Sequence, residues 1–487
     1  MMFRIFSVLA IALLVLLAIL ATRTYLYGKE LDKFAPITDV SFDQQEAAKR
    51  LSGALAIKTI SRTDVPVAAD AFKAMHQYLE NTFPLTHENL ERETVNEYSL
   101  LYTWRGDNLE LEPILLMAHM DVVPIAAETV HQWKYPPFSG KVADGFIWGR
   151  GALDMKQSLM GIMEAVEYLL VQKLKPDRTV YLAFGHDEEV GGYQGAAKIA
   201  ELLESRNIKL NFTLDEGSAI VQGILPGISP PVALVGMAEK GAVTLKLTAF
   251  GPGGHGSMPP ANSAIVQLAR AIDRLETNQM PAEVRYPVSA MFEYLASEMP
   301  LSQRVVIANR WLFERLLTTK LETNRATNAA IRTTTAITVL KAGTAYNVFP
   351  TTASALGTFR ILHGDSIEMV IDHVRRIVGS PNIEVEVAGR VASEPSRVSS
   401  TESSGFATIA KTIRQVSPDT IVAPSLVVTG TDSPHYEKLA ENSFRFVPMR
   451  IKKEDIKRIH GIDERVGVAN YAEIIRFYVQ LIRNVND

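Results

Sequence analysis

Two carboxylates stand side by side at Glu188 and Glu189, in "GHDEEVGGY", immediately after the apolar run "TVYLAF". Adjacent like charges repel and offer no helix pairing, so on its own the pair reads equally well as a solvated turn. A second segment, "MAHMDVVP", puts His119 and Asp121 two residues apart at the end of an apolar run, where strand alternation sends both side chains to the same side. A metal-binding histidine commonly has its other ring nitrogen held by a carboxylate, and Asp121 is placed to do that. Asp154, in "WGRGALDMKQS", lies in a glycine-containing loop before a helix, where capping alone would account for it. Asp215 in "LDEGS" follows another strand-like run, and His460 comes late, in "IHGIDERVG". Each position has an ordinary structural explanation, but the set is far more specific than its parts. The chain contains no cysteine, so any metal must be held by His, Asp and Glu.

Something must carry these groups to one place. From near Ser41 to about Pro231, runs such as "PILLMAHMDVV", "TVYLAFGHDE" and "FTLDEGS" end in acidic residues or histidine. Between them, "SLMGIMEAVEYLLVQ" and "QGAAKIAELLESR" repeat apolar residues at helical spacing. Such alternation predicts an α/β domain with a mostly parallel sheet, whose functional groups sit at the carboxyl ends of the strands. The loop "GILPGISPP" then breaks the pattern, and "KGAVTLKLTAFG" opens a stretch of two-faced strands ("TTTAITVLKAG", "ASALGTFRIL", "NIEVEVAGR") with one helix, "SIEMVIDHVRRIVG". Residues 237–392 therefore read as a smaller α+β domain carrying a helix-rich insertion at about 263–330, over or beside the main site. The α/β pattern resumes from 393 to 487, which makes the catalytic domain discontinuous, its first part being 37–236.

The segment 1–36 is different. Ile5 to Ala21 is almost uninterrupted apolar sequence, at the short limit for a membrane span, and predicts a helix over about 5–22 followed by a polar stalk. No clean small-residue cleavage site precedes Arg23, which favours a retained anchor, with the catalytic part extracytoplasmic, over a secreted chain whose signal is removed. Basic residues flank both ends, so charge bias gives no orientation. The 487 residues carry 21% charged residues and a formal net charge of -4, which offers no electrostatic footprint for nucleic acid.

In order along the chain, "AHMDVVP", "WGRGALDMK", "DEEVGG", "DEG" and "IHGIDE" resemble the zinc-dependent aminoacylase and carboxypeptidase S metallopeptidases of clan MH. That family includes acetylornithine deacetylase, succinyl-diaminopimelate desuccinylase and, in the carboxypeptidase S branch, N-fatty-acyl amino acid synthase/hydrolases. "WKYPPFSG" and the terminal "HGIDERV" have the character of that branch, and the resemblance covers nearly everything after the apolar segment. It implies a two-domain enzyme with an inserted lid or dimerisation domain, as a monomer or homodimer. It implies His119 as ligand of one metal with Asp215, Asp154 as the bridging carboxylate, Glu189 and His460 on the second metal, Asp121 orienting His119, and Glu188 as general base. Two zinc ions fit nitrogen and oxygen ligands without sulfur best, and cobalt or manganese are possible. In the smaller domain, His255 in "GPGGHGSMP" resembles a residue that stabilises the oxyanion, while Asn347 in "YNVFP" and Arg360 in "GTFRIL" resemble contacts to the substrate carbonyl and carboxylate.

His435, in "GTDSPHY", is read as structural or near the substrate, and His131 and His186 as structural or as supports behind the ligands. Pro434 stands where many relatives carry arginine. The resemblance implies hydrolysis of an amide next to a free carboxylate, with small peptides or N-acyl amino acids as substrates. An inactive membrane-tethered binding protein is the contrasting class, and it would be marked by a missing ligand or a missing Glu188. A serine hydrolase would need a G-x-S-x-G elbow and a zincin an H-E-x-x-H helix, and the chain has neither.

Overall fold

The computed structural model describes residues 1–30 and 32–486; Leu31, in the expected stalk, lies outside the described residues. The large sheet has ten strands, in the order Glu91–Val95, Ser99–Trp104, Val180–Gly185, Ile114–His119, Phe212–Asp215, Ser443–Arg445, Val232–Glu239, Ile220–Gln222 and Arg450–Lys452, with Ile421–Val427 also paired to Val232–Glu239. The sequence predicts a mostly parallel sheet; among the described residues five strand pairings of this sheet are parallel and four are antiparallel. Val180–Gly185, Ile114–His119, Phe212–Asp215 and Ser443–Arg445 are mutually parallel, whereas Glu91–Val95, Ser99–Trp104, Val232–Glu239 and Ile220–Gln222 each pair antiparallel with a neighbour. Short connections account for two of these pairings, Glu91–Val95 with Ser99–Trp104 and Ile220–Gln222 with Val232–Glu239, because antiparallel neighbours need no crossover helix.

The central strands Ile114–His119 and Val180–Gly185 are buried at every position, as expected for strands covered on both faces. One cover is formed by helices Gln44–Ala56, Lys156–Val171 and Val468–Asn484, which share a single apolar core with the sheet. Lys156–Val171 is buried along most of its length because it lies between the sheet and the other two helices. The opposite face is closed by Ala196–Ser205 and the segment around Tyr436 and Leu439. The sheet takes strands from before residue 240 and after residue 420, so its halves are separated by a long excursion of the chain.

That excursion builds a four-stranded antiparallel sheet in the order Thr334–Ala342, Thr352–Ile361, Gly241–Phe250, Ile383–Ser393. Gly241–Phe250 and Thr352–Ile361 alternate buried and partly exposed positions, the pattern of a sheet covered on one face. Helices Ala264–Thr277 and Ile367–Val378 provide the cover. Ala264–Thr277, inside the stretch read as an insertion, is thus part of this layer. The helices that follow, Val288–Leu295, Leu301–Ala308, Arg310–Glu322 and Arg325–Ile331, form a separate cluster in which Val288, Phe292, Ile307, Leu317 and Ile331 pack with Leu426 of the large sheet.

At the N-terminus a single helix runs over Met2–Leu26, longer at both ends than the predicted span, and long and apolar enough to cross a membrane. Its only buried residue is Thr24.

Candidate metal centre and active site

His119 is the last residue of the strand Ile114–His119, and a strand ending there delivers its imidazole to the rim of the sheet. The ring is buried, and its Nδ1 lies 3.0 Å from the Asp121 backbone oxygen and 3.3 Å from Asp121 Oδ1. Its Nε2 lies 3.1 Å from Asp154 Oδ1 and 3.3 Å from Glu216 Oε1. Asp154 turns its other oxygen to the opposite side, where Oδ2 is 3.1 Å from His460 Nε2. The same His460 nitrogen is 3.2 Å from Glu189 Oε2. Asp154 thereby joins two half-sites, one with His119 and Glu216, the other with His460 and Glu189.

Each half-site has a local cause. The turn at 188–190 follows the strand Val180–Gly185, and both its first amides are held by Asp121: Glu188 N–H donates to Oδ1 and Glu189 N–H to Oδ2, each at 3.2 Å. One buried carboxylate therefore orients His119 and fixes the main chain beneath both glutamates. The turn closes through Gly191 and Gly192 at φ 109° and 69°, where a side chain is disfavoured. A Cβ on Gly192 would lie 2.0 Å from Asp432 Oδ1, so Asp432 occupies the space that the glycine leaves. Asp187, next to the pair, accepts from Gln194 N–H at 2.8 Å and Gly195 N–H at 2.7 Å.

Loop 149–154 is held by Glu464, which is fully buried. Its Oε1 accepts from the amides of Gly151, Leu153 and Asp154, and its Oε2 pairs with Arg150. Arg150 also donates from Nη2 to the His460 backbone oxygen at 3.0 Å, which ties the bridging loop to the second histidine.

The carboxylates repel one another. Burial and the Asp154 charge push the Glu216 carboxyl up to about 8, and burial together with Glu216 pushes Glu188 well above the carboxylate range. Burial would raise Asp154 too, but pairing with His119 and His460 outweighs it and holds Asp154 well below its usual range. Hydrogen bonding to Asp154 and Glu189 lifts His460 to about 10. Burial opposes protonation of His119, yet Glu216, Asp121 and Asp154 raise it well above the ordinary histidine value. Without another cation, protons on the histidines and glutamates balance the cluster.

A divalent cation fits the same donor set. Ligand atoms of His119, Asp154 and Glu189 lie within 4.8 Å of one another, as do those of His119, Glu188 and Glu216. Glu189 Oε1 is buried and has no hydrogen-bond partner, a cost that coordination would remove.

The expected metal ligands, with Asp121 and Glu188, are thus brought together with one exception. Asp215, expected to complete the first metal, turns away: its Oδ2 accepts from Ser433 Oγ at 2.9 Å and its Oδ1 from the Glu216 amide at 2.9 Å. Glu216, one residue past the end of the strand Phe212–Asp215, takes the place against His119. Only its position in "DEG" signalled it in the sequence. Asp432, buried and pushed well above the carboxylate range by burial and Asp215, also escaped sequence reasoning.

Of the remaining histidines, His435 Nε2 is 3.0 Å from the Gly191 backbone oxygen, with its ring edge-on to Tyr193, so it braces the glutamate turn. His186 is buried, 2.6 Å from Ser99 Oγ, and His131 is exposed in a short 3₁₀ turn. His255 and Asn347 meet in one small exposed ribbon, where Gly254–His255 pairs with Val348–Phe349 and the Gly256 amide donates to the Asn347 carbonyl at 2.7 Å. His255 Nδ1 is 2.8 Å from Ser257 Oγ; among the described residues no hydrogen bond or ion pair joins His255 to the acidic cluster. Arg360, on Thr352–Ile361, reaches the loop that carries Asp432, with Nη1 4.0 Å from where a Cβ on Gly430 would lie. Its charge and, above all, burial bring the Lys240 amine down to about 7.

The sequence profile of "Peptidase family M20/M25/M40" matches residues 115–484. The Dictyostelium discoideum protein named "Probable carboxypeptidase S-like 2" is 41% identical over 93% of this chain and 87% of its own length. An N-fatty-acyl-amino acid synthase/hydrolase from Xenopus tropicalis is 39% identical over 97% of this chain and 93% of its own length. Among solved structures, a metallo-carboxypeptidase of family M20 from Sulfolobus solfataricus shares the fold, with a TM-score of 0.65 at 18% identity, over 91% of this chain and 99% of its own.

Proposed function

The chain belongs to peptidase family M20/M25/M40, and from that premise we propose that this hydrolase cleaves amide bonds so as to release an amino acid with a free carboxylate. The observation that carries the reading is the joined pair of half-sites, His119 with Glu216 and His460 with Glu189, bridged by Asp154. We assign these five residues as the ligands of two divalent metals. Zinc fits the nitrogen and oxygen donors best, and cobalt or manganese fit the same set. When bound, such a metal pair supplies a nucleophilic water at neutral pH and polarises the scissile carbonyl.

The chain's own groups do the rest. Glu188 stands in the cluster without an assigned ligand role, on the same turn as Glu189, and its ionised carboxylate suits a base that takes a proton from water and returns it to the departing amine nitrogen. Asp121 keeps His119 oriented and holds the Glu188 amide, so ligand and base are positioned together. Arg360 has no carboxylate within ion-pair distance among the described residues, and its fork is free to take both oxygens of a substrate carboxylate. We assign His255 and Asn347, on their shared ribbon, to the substrate carbonyl, a role that requires the ribbon to approach the cluster when substrate binds.

Peptides are the first acyl donors proposed, as for a carboxypeptidase or dipeptidase. N-acyl amino acids, with fatty acyl groups included, form the second reading, favoured by the relative matched over 97% of this chain. We further propose that Met2–Leu26 is retained as an anchor with the catalytic part extracytoplasmic; secretion after cleavage is the alternative, and mass measurement of the mature N-terminus separates them. Assay of the full chain against dipeptides, N-blocked dipeptides and N-acyl amino acids, with and without chelator, tests the function. Chelator-sensitive release of the free amino acid is the expected result, and hydrolysis that chelation leaves unchanged would overturn the assignment.

A further inference from the structure

The helix Met2–Leu26 does not leave the body of the protein as a free tail. Thr24 is buried, and Leu16 and Leu20, at spacings of four, are partly covered while the rest of the apolar run is open. What covers them is the insertion. Asn309 Nδ2 donates to the Leu20 carbonyl at 3.3 Å and to Thr24 Oγ1 at 3.1 Å. Arg304 donates to the Thr24 carbonyl at 2.9 Å and the Tyr25 carbonyl at 3.3 Å, and Arg23 Nε to the Ala308 carbonyl at 3.4 Å. Arg304 thus faces the end of the N-terminal helix, and Asn309 faces a point a turn earlier. The chain climbs from 304 to 309 along Met2–Leu26 in the direction of its apolar centre.

The next helix, Arg310–Glu322, begins there. Trp311, Leu312 and Leu316 on its first two turns are exposed by 57%, 45% and 58%, which leaves a broad apolar face without a partner in the chain. Phe313 and Leu317 on the other side are partly or fully buried, so the exposed side chains are not a frayed core. The face carries basic residues at Arg315 and Lys320, both exposed. Tryptophan and long basic side chains at the edge of an apolar surface suit the boundary between headgroups and acyl chains. Asn309, the residue before this helix, meets the Leu20 carbonyl, so the helix starts beside the end of the apolar run at Ala21. The boundary between headgroups and acyl chains, where an interfacial helix buries its apolar face by about 5–10 Å, lies at that end of a membrane-spanning run.

We propose that the first two turns of Arg310–Glu322 dock on the same lipid bilayer that takes up Met2–Leu26, with Trp311, Leu312 and Leu316 in the headgroup and acyl boundary. This rests on the reading of Met2–Leu26 as a retained anchor. The consequence is a fixed pose. Helix Val288–Leu295 of the insertion packs on Ile421–Val427, the strand that leads into the loop of Asp432 and faces Arg360, so two membrane contacts would hold the site at a set height above the lipid.

The chain has no cysteine, so single labelling sites can be placed without removing any. Full-length Leu312→Cys and Leu316→Cys, and Val387→Cys on the exposed outer strand of the small sheet as control, are spin-labelled and reconstituted in phosphatidylcholine and phosphatidylglycerol vesicles. At 312 and 316, collision rates with oxygen are expected to exceed those with a water-soluble nickel complex severalfold, and the order should reverse at 387. Nickel-dominated collisions at 312 and 316 in a chain that floats with the vesicles would overturn the docking and leave the anchor reading intact. A chain that does not float would overturn both. Spin–spin coupling between labels at 316, in place of oxygen access, would assign the face to a second copy of the chain and equally overturn the proposal. Turnover of a water-soluble substrate is expected to be unchanged in all three variants, which verifies their folding.

Discussion

Glu188 and Glu189 differ in what they touch, and that difference sets the first expectation. Glu189 pairs with His460, whereas Glu188 has its amide held by Asp121 and its carboxyl among the acidic groups. Glu188→Gln is expected to keep bound metal and lose turnover by roughly 10²–10⁴-fold, the usual contribution of a positioned base. Metal content and kcat measured on the same sample check it, and full activity would refute the assignment. Glu216→Ala and His460→Ala should each lower metal content, while Asp215→Asn should retain it; the reverse pattern at 215 and 216 would restore the sequence-based choice. Proton linkage gives a further test. Glu216 is raised to about 8 and His460 to about 10 in the metal-free cluster, both above their unfolded values. Groups raised in this way favour the folded state at low pH and lose that contribution as pH rises through their folded values. The chelated protein should therefore fall in Tm more steeply than the metal-loaded one between about pH 6.5 and 8, where both groups are linked, with the His460 part continuing to about pH 10, and metal binding near pH 7 should release protons. Equal pH profiles would show that the cluster is not the linked group. The convergence of His119, Asp154, Glu189 and His460 was legible because each lies in a recognisable segment. Asp215 and Glu216 were not separable, since two neighbouring carboxylates at a strand end face opposite ways and only the final register decides which meets His119.

At the scale of elements, the site depends on how loops are pinned to strand ends. Glu464 and Arg150 form a buried pair, with side chains 0% and 4% exposed, that fastens the Asp154 loop to the His460 segment. Glu464→Gln would leave the guanidinium without its counter-charge, and loss of one partner of a buried pair costs about 3–5 kcal/mol. Adding Arg150→Met removes the stranded charge and should recover most of that stability in denaturant unfolding. A double variant as unstable as the single one would locate the cost elsewhere. Gly192→Ala is expected to disturb the turn under the glutamates, because its φ is 69° and its Cβ would meet Asp432. The alternation of strands and helices was readable from apolar periodicity, and so was the clustering of chemistry at strand ends. The antiparallel pairings were not. Periodicity reports burial on one or both faces, and a strand buried on both faces looks alike in either direction. The bracing by Glu464, Asp432 and His435 was hidden for a related reason: these residues act across gaps of hundreds of positions, where local spacing carries no signal.

For the whole molecule, the question is which N-terminal residues belong to the proposed anchor and which serve the catalytic unit. The apolar run announces its helix plainly, but the polar stretch after it has no periodicity, and its docking could not be read from sequence. The structure divides it. Up to Lys29 the backbone contacts lead to the insertion, with the Lys29 amide donating to the Glu293 carbonyl at 3.1 Å, while the Lys29 side chain reaches out of it to Glu402, 3.2 Å away. From Ile37 they lead to the large sheet's helical cover: the Ile37 amide donates to the Gln415 carbonyl at 3.0 Å, the Tyr168 hydroxyl to the Asp39 carbonyl at 3.2 Å, and Val40 is buried. Asp39 also pairs with Arg483 at 2.8 Å, although its exposure makes that pair a minor contributor. Asp43 then caps the helix Gln44–Ala56 by accepting from the Gln45 and Glu46 amides. On the anchor reading, removal of residues 1–36 should therefore release the protein from the membrane at little cost to the catalytic unit. Removal of 1–43 also loses Val40, a backbone hydrogen bond and the cap, together about 3–5 kcal/mol. Chemical unfolding of the two truncated proteins separates the alternatives. If both unfold at the same denaturant midpoint, residues 37–43 are linker, and the catalytic unit begins only at the helix Gln44–Ala56.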